Sequence, residues 1–134
     1  MKKTVLCIED NPDNMLLVKR IIENIGYNFV AAQNGKTGLQ LAEEMSPDLI
    51  LLDINLPDWD GYEVARRLRA SEKDWLTVVP IIAVTANALK GDAEKVLAAG
   101  CDVYMSKPIN IHELWERVDA ILGAENAPVN SDVD

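Results

Sequence analysis

Three acidic residues carry the first chemical signal in this sequence: the neighbours Glu9 and Asp10, and the distant Asp53. Each stands where a short apolar run stops, the first run at residues 4–8 and the third at 48–52. Two further runs stop at Thr85-Ala86 and at Ser106-Lys107-Pro108. Carboxylates gathered in one place repel, so a proton or a cation must neutralise some of them. Mg²⁺ suits such a set, because it takes oxygen ligands, keeps several waters and leaves room for a phosphoryl oxygen. Lys107 adds a point charge and Thr85 a hydroxyl. Together these groups suit phosphoryl transfer, in which the protein mostly positions and neutralises charge. No Ser–His or Cys–His arrangement is apparent, and the one histidine, His112, falls on the polar side of a helical stripe. A carboxylate can itself attack phosphorus and form an acyl phosphate. Asp53, alone at the end of a run that is apolar at every position after Asp48, is the candidate nucleophile.

These residues act together only if the chain brings the run ends to one place. Five apolar runs have strand length, at residues 4–8, 28–32, 48–52, 78–84 and 102–105. Segments with helical periodicity lie between them, such as Met15/Val18/Ile22/Ile25 and Ile111/Leu114/Val118/Ile121. Helix starts are marked by Asn11 before Pro12, by Asp60 with Glu63, and by Asn110 with Glu113. Gly26, Ser46-Pro47 and Gly100 mark stops. The segment 88–99 is helical but interrupted by Gly91, and 71–77 reads as a polar connection holding Trp75. Alternating strands and helices predict a doubly wound α/β fold with a five-stranded parallel sheet and five helices. In such a sheet, ligands sit outside the carboxyl ends of the strands, at the topological switch point. A strand order of 2-1-3-4-5 converges Glu9, Asp10 and Asp53 there and leaves the uncharged end of the second strand at the edge.

Composition narrows the function. The 134 residues predict one domain over 1–122, with 123–134 as an acidic, aperiodic, disordered tail. The net charge of −9, from 13 Lys+Arg against 22 Asp+Glu, offers no basic face for nucleic acid or for an anionic membrane surface. No apolar run reaches the length of a membrane span or of a signal peptide core. Cys7 and Cys101 form no CxxC pair and read as reduced thiols of a cytoplasmic protein.

The sequence resembles a response-regulator receiver domain of two-component signalling. The resemblance covers roughly residues 3–122. It rests on Val5-Leu6-Cys7-Ile8-Glu9-Asp10-Asn11, then Asp48-Leu49-Ile50-Leu51-Leu52-Asp53-Ile54-Asn55-Leu56-Pro57 and Asp60-Gly61. It continues with Pro80-Ile81-Ile82-Ala83-Val84-Thr85-Ala86 and Lys107-Pro108. The resemblance implies a flavodoxin-like fold, and the length of 134 residues suits a free-standing regulator, with a receiver segment of a hybrid kinase as the alternative. Asp53 would accept a phosphoryl group from a histidine kinase or a histidine phosphotransfer protein. Mg²⁺ would be held by Asp10, Asp53 and the backbone carbonyl of Asn55, with Glu9 nearby, directly or through water. Lys107 would pair with a phosphoryl oxygen, and the Lys107–Pro108 bond would be cis. Thr85 would bond the phosphoryl group after transfer, and Tyr104 would turn inward with it. A face of the fourth helix, fifth strand and fifth helix would then present the signal to a downstream protein. Asn55 and Asn87 would line the approach. The acidic pair is Glu-Asp where Asp-Asp is commoner in the family.

Other readings fit less well. A haloacid-dehalogenase-type phosphatase would need an acid two residues after the nucleophile, where Asn55 stands. A flavodoxin-like flavin carrier would need a phosphate-binding loop after the first strand, where Glu9-Asp10-Asn11-Pro12-Asp13 places carboxylates. A receiver-like module that binds partners without phosphorylation is the alternative, and it would be marked by a missing site residue.

Overall fold

The apolar runs pair into one parallel sheet, in the computed structural model that describes residues 2–86, 91 and 93–123. The elements run β1 (Thr4–Ile8), α1 (Pro12–Ile25), β2 (Asn28–Ala32), α2 (Gly35–Met45), β3 (Leu49–Asp53) and α3 (Gly61–Arg69). They continue with α4 (Asp74–Val78), β4 (Ile81–Thr85), α5 (Ala93–Ala98), β5 (Val103–Ser106) and α6 (Ile111–Val118), closed by a π-helical turn, Asp119–Gly123. The sheet order is β2-β1-β3-β4-β5, as the alternation predicts. Strands β1 and β3 are neighbours whose following helices leave on opposite faces, which opens a crevice above their carboxyl ends.

Side chains alternate across the sheet, so each strand feeds two cores. Leu6, Ile8, Ile50, Leu52 and Ile81 pack with Val64 and Leu68 of α3 and Val96 of α5. Val5, Cys7, Leu49, Leu51 and Ile82 pack on the other face with Val18 and Ile22 of α1 and Leu114 and Val118 of α6. All five residues of β3 are buried, and so are all five of β4. That double burial explains their unbroken apolar sequence.

Helix boundaries follow their expected signals. Asn11 caps α1 by accepting from the N–H groups of Asp13 and Asn14, and Pro12 opens the helix. Gly26 closes it at φ +109°, a conformation that favours glycine. Asp60 and Asn110 cap α3 and α6 by accepting from Glu63 and Glu113. The return half of the Asp60–Glu63 box is absent, because the Glu63 carboxylate pairs with Arg66 and Arg67 instead.

Three expectations change. Residues 74–78 of the expected connection and fourth run form the one-turn helix α4, so the described residues hold six α-helices rather than five. The apolar run Val78-Val79-Pro80-Ile81 reads as continuous strand, but Pro80 offers no N–H to a ladder and β4 begins only at Ile81. The expected fourth and fifth helices are therefore α5 and α6. Ile111, expected in the buried stripe of the last helix, is exposed, and Leu122 takes its place beside Leu114 and Val118. Expectations that fall on residues 87–90, 92 and 124–134, Asn87 and the tail among them, lie outside the described residues.

The starts of β3 and β5 carry parallel devices. Asp48 accepts from the Thr4 N–H, and Asp102 accepts from the Ile81 N–H while pairing with Arg69. Each carboxylate satisfies the first N–H of the neighbouring strand. These side chains lie at the amino ends, away from the crevice.

Candidate functional site

Loops leaving β1, β3 and β5 meet at the crevice. Glu9 follows β1 directly and is 3% exposed, and its N–H donates to Ala32 in β2. Its Oε2 accepts from the Asn11 N–H at 3.0 Å. Asn11 thus caps α1 with its side chain and orients Glu9 with its backbone. Asp53 ends β3 and is 2% exposed. The next residue, Ile54, donates its N–H to Val84, which carries the β3–β4 ladder past Asp53 and fixes its backbone. Asp10 is exposed at the rim. One carboxylate oxygen from each of Glu9, Asp10 and Asp53 lies within 4.8 Å of the others.

The two oxygens of Asp53 differ. Oδ1 lies 2.8 Å from the Lys107 ammonium and accepts from the Asn55 N–H at 3.0 Å. Oδ2 is buried and has no hydrogen-bond partner. A buried carboxylate oxygen without a donor is costly, and it marks a place where another positive group fits. The apolar floor offers none: beneath Asp53, a cavity of about 10 Å³ between Leu51, Val84 and Met105 holds one water at most.

The site's charge shows in Glu9, whose carboxyl is pushed up to about 7. Burial is the largest cause. The Asn11 N–H and Lys107 pull it down, while the Asp53 charge, and a hydrogen bond that protonated Glu9 shares with the Asp53 carboxylate, push it further up. Three carboxylates thus face one lysine, and a proton on Glu9 removes part of the excess. A divalent cation would replace that proton with two charges. The residues fit Mg²⁺: hard oxygen donors, an unpartnered buried oxygen, and an exposed side at Asp10 where waters can remain.

Lys107 reaches the site because its N–H donates to the Thr85 carbonyl at 2.9 Å, which sets the β5–α6 loop beside β4. The Lys107–Pro108 peptide is cis. Thr85 ends β4 and is buried. Tyr104 is not part of the acidic cluster. It points outward from β5 into a surface groove bounded by Leu97 of α5 and by Glu113 and Arg117 of α6.

Glycine 61 matters here for its missing side chain. A Cβ there would lie 2.6 Å from the Ile54 Cα and 2.8 Å from the Asp53 carbonyl oxygen. The start of α3 therefore rests directly on the backbone that presents Asp53. Two features escaped the sequence reading. Asp58 bonds across to the start of α2, and Arg67 stacks its guanidinium 4.0 Å from the Trp59 ring. Neither pair has a sequence spacing that announces it.

Comparison with known proteins agrees with this geometry. Residues 5–119 match the response regulator receiver domain family. The polar-differentiation response regulator DivK of Brucella anthropi is 45% identical over 123 residues, covering 92% of this chain and 98% of that protein. The receiver domain of the sensor histidine kinase PA1611 from Pseudomonas aeruginosa superposes with a TM-score of 0.83 at 37% identity, covering 92% of this chain and 99% of that one. It was crystallised with a magnesium ion coordinated in its active-site cleft. The receiver domain of Ssk1 from Saccharomyces cerevisiae, crystallised with the histidine phosphotransfer protein Ypd1, gives 0.84 at 29% identity, covering 96% of this chain and 94% of that one. Sequence, fold and comparison converge: the chain belongs to the response regulator receiver domains.

Proposed function

We propose that this protein is a phosphorylation-dependent switch in which Asp53 accepts a phosphoryl group from a phosphohistidine on a histidine kinase or phosphotransfer protein. The observation that carries the proposal is the asymmetry of Asp53. One oxygen is held by Lys107 and the Asn55 N–H, while the other is buried, unpartnered and beside two more carboxylates. A carboxylate oxygen so placed attacks phosphorus. The new bond joins Asp53 to phosphorus, the phosphorus–nitrogen bond of the donor breaks, and the leaving imidazole takes up a proton. Asp10, Asp53 and the Asn55 carbonyl, with Glu9 alongside, would hold Mg²⁺, which when bound would supply charge neutralisation for the phosphoryl oxygens. Lys107 keeps its ammonium against the transferred group, and Thr85 offers its hydroxyl once transfer is complete. Hydrolysis of the acyl phosphate returns the resting carboxylate.

The output is a population shift. Thr85 moves toward the phosphoryl group and Tyr104 follows inward. The groove that this repacks carries exposed apolar side chains from two elements, Leu97 of α5 and Tyr104 of β5, bordered by Glu113 and Arg117 of α6. Such a cluster suits a downstream protein partner. Among the described residues no helix is long and apolar enough to cross a membrane. A phosphohistidine donor tests the reading: label should pass from donor to wild type and not to Asp53→Asn. Label that stays on the donor, with folded wild type present, contradicts it.

A further inference from the structure

Asp58 lies in the loop between β3 and α3, and both of its carboxylate oxygens are engaged by another element. Oδ1 accepts from the Gly35 N–H at 2.8 Å, and Oδ2 accepts from the Lys36 N–H at 2.9 Å. These are the first two residues of α2, whose N–H groups have no intrahelical partner. Asn34 caps the same helix by accepting from the Thr37 N–H at 2.8 Å. Helix α2 thus receives its N-terminal acceptors from two places: its own cap residue, and a carboxylate from a different loop. Burial pushes the Asp58 carboxyl up, but the N–H groups of Gly35, Lys36 and Trp59 outweigh it and hold the group below its ordinary range. The approach is close enough that a Cβ on Gly35 would stand 3.3 Å from Asp58 Oδ1 and 3.5 Å from the Trp59 Cβ.

The same loop begins at Asn55, whose N–H is bonded to Asp53 and whose carbonyl is proposed above as a Mg²⁺ ligand. The loop is closed at its base by the Gly61 N–H on the Ile54 carbonyl at 2.8 Å. Asp58 ties its far side to α2. We propose that Asp58 is a positioning residue for the acidic site: by clamping the β3–α3 loop onto the start of α2, it holds the Asn55 carbonyl ready for a divalent cation. The inference rests on the Mg²⁺ reading of the site. Groups that orient metal ligands from behind commonly change affinity about 10-fold or more when removed.

The test pairs Asp58→Ala with Asn34→Ala. Both remove caps from α2, but only the first releases the β3–α3 loop. Mg²⁺ affinity is measured by calorimetric titration, and thermal unfolding in EDTA is recorded alongside. Asp58→Ala should bind Mg²⁺ about 10-fold more weakly. Asp58→Asn, which keeps one acceptor oxygen, should fall between it and wild type. Asn34→Ala should keep wild-type affinity despite a lowered unfolding temperature. Unchanged affinity in Asp58→Ala, or an equal loss in Asn34→Ala, overturns the clamp while leaving the site reading intact. A wild type that takes up no Mg²⁺ overturns both.

Discussion

The Lys107 ammonium stands 2.8 Å from Oδ1 of Asp53, at the end of a buried strand whose carboxylate has no other cation beside it among the described residues. The pair is asymmetric: the aspartate side chain is 1% exposed, while the lysine is 22% exposed. Removing the lysine therefore strands the buried partner, whereas removing the aspartate leaves a lysine that can turn to water. Lys107→Ala should cost about 1–3 kcal/mol of stability in metal-free protein. Asp53→Asn should raise the unfolding temperature, because it also relieves repulsion with Glu9 and Asp10. Denaturation in EDTA checks both signs.

Glu9 gives the metal-free protein a pH dependence. Its carboxyl titrates near 7 in the fold, against an ordinary value of 4.5. The folded state therefore binds more protons than the unfolded state across that window, and stability falls as pH rises from about 4.5 to about 7. Unfolding temperatures in EDTA should drop between pH 5.5 and 8. Glu9→Gln should flatten the curve, and Mg²⁺ should restore the wild type at pH 8. A wild-type curve already flat in EDTA would contradict the charge crowding.

Gly61→Ala should destabilise the protein by roughly 1–3 kcal/mol and lower phosphoryl uptake with it. The clashing atoms are backbone, the Ile54 Cα and the Asp53 carbonyl, so no rotamer can relieve them. Urea unfolding measures the first effect. Mass spectrometry of the phosphorylated fraction measures the second.

Both cysteines are buried, and their thiols are pushed up, mainly by burial, to about 11 for Cys101 and further for Cys7. Thiolate is the reactive form. Native protein at pH 8 should react only slowly with a disulfide reagent such as dithionitrobenzoate, whereas denatured protein should react at both residues. Rapid native labelling would show that the core opens more readily than its packing implies.

The strand order and the convergence of Glu9, Asp10 and Asp53 were legible because apolar runs, caps and charged run ends all pointed the same way. Lys107 joins them through a tertiary contact, yet its place before Pro108 at a strand end already marked it. The helical turn α4 was not legible, because Val78 and Val79 extend an apolar run that only the missing N–H of Pro80 divides. Exposure of Ile111 was hidden for a similar reason: periodicity gives a stripe but not which of its edge residues the sheet covers. The Asp58 clamp left no trace, since it joins a loop to the start of α2, and their proximity exists only once β1, β2 and β3 have paired.

The most direct test is intact mass spectrometry after incubation with acetyl phosphate, with and without Mg²⁺, on wild type and Asp53→Ala. The account predicts a single phosphoryl adduct on wild type that requires Mg²⁺ and disappears in the variant. An adduct that persists in Asp53→Ala, or forms equally well in EDTA, would contradict it.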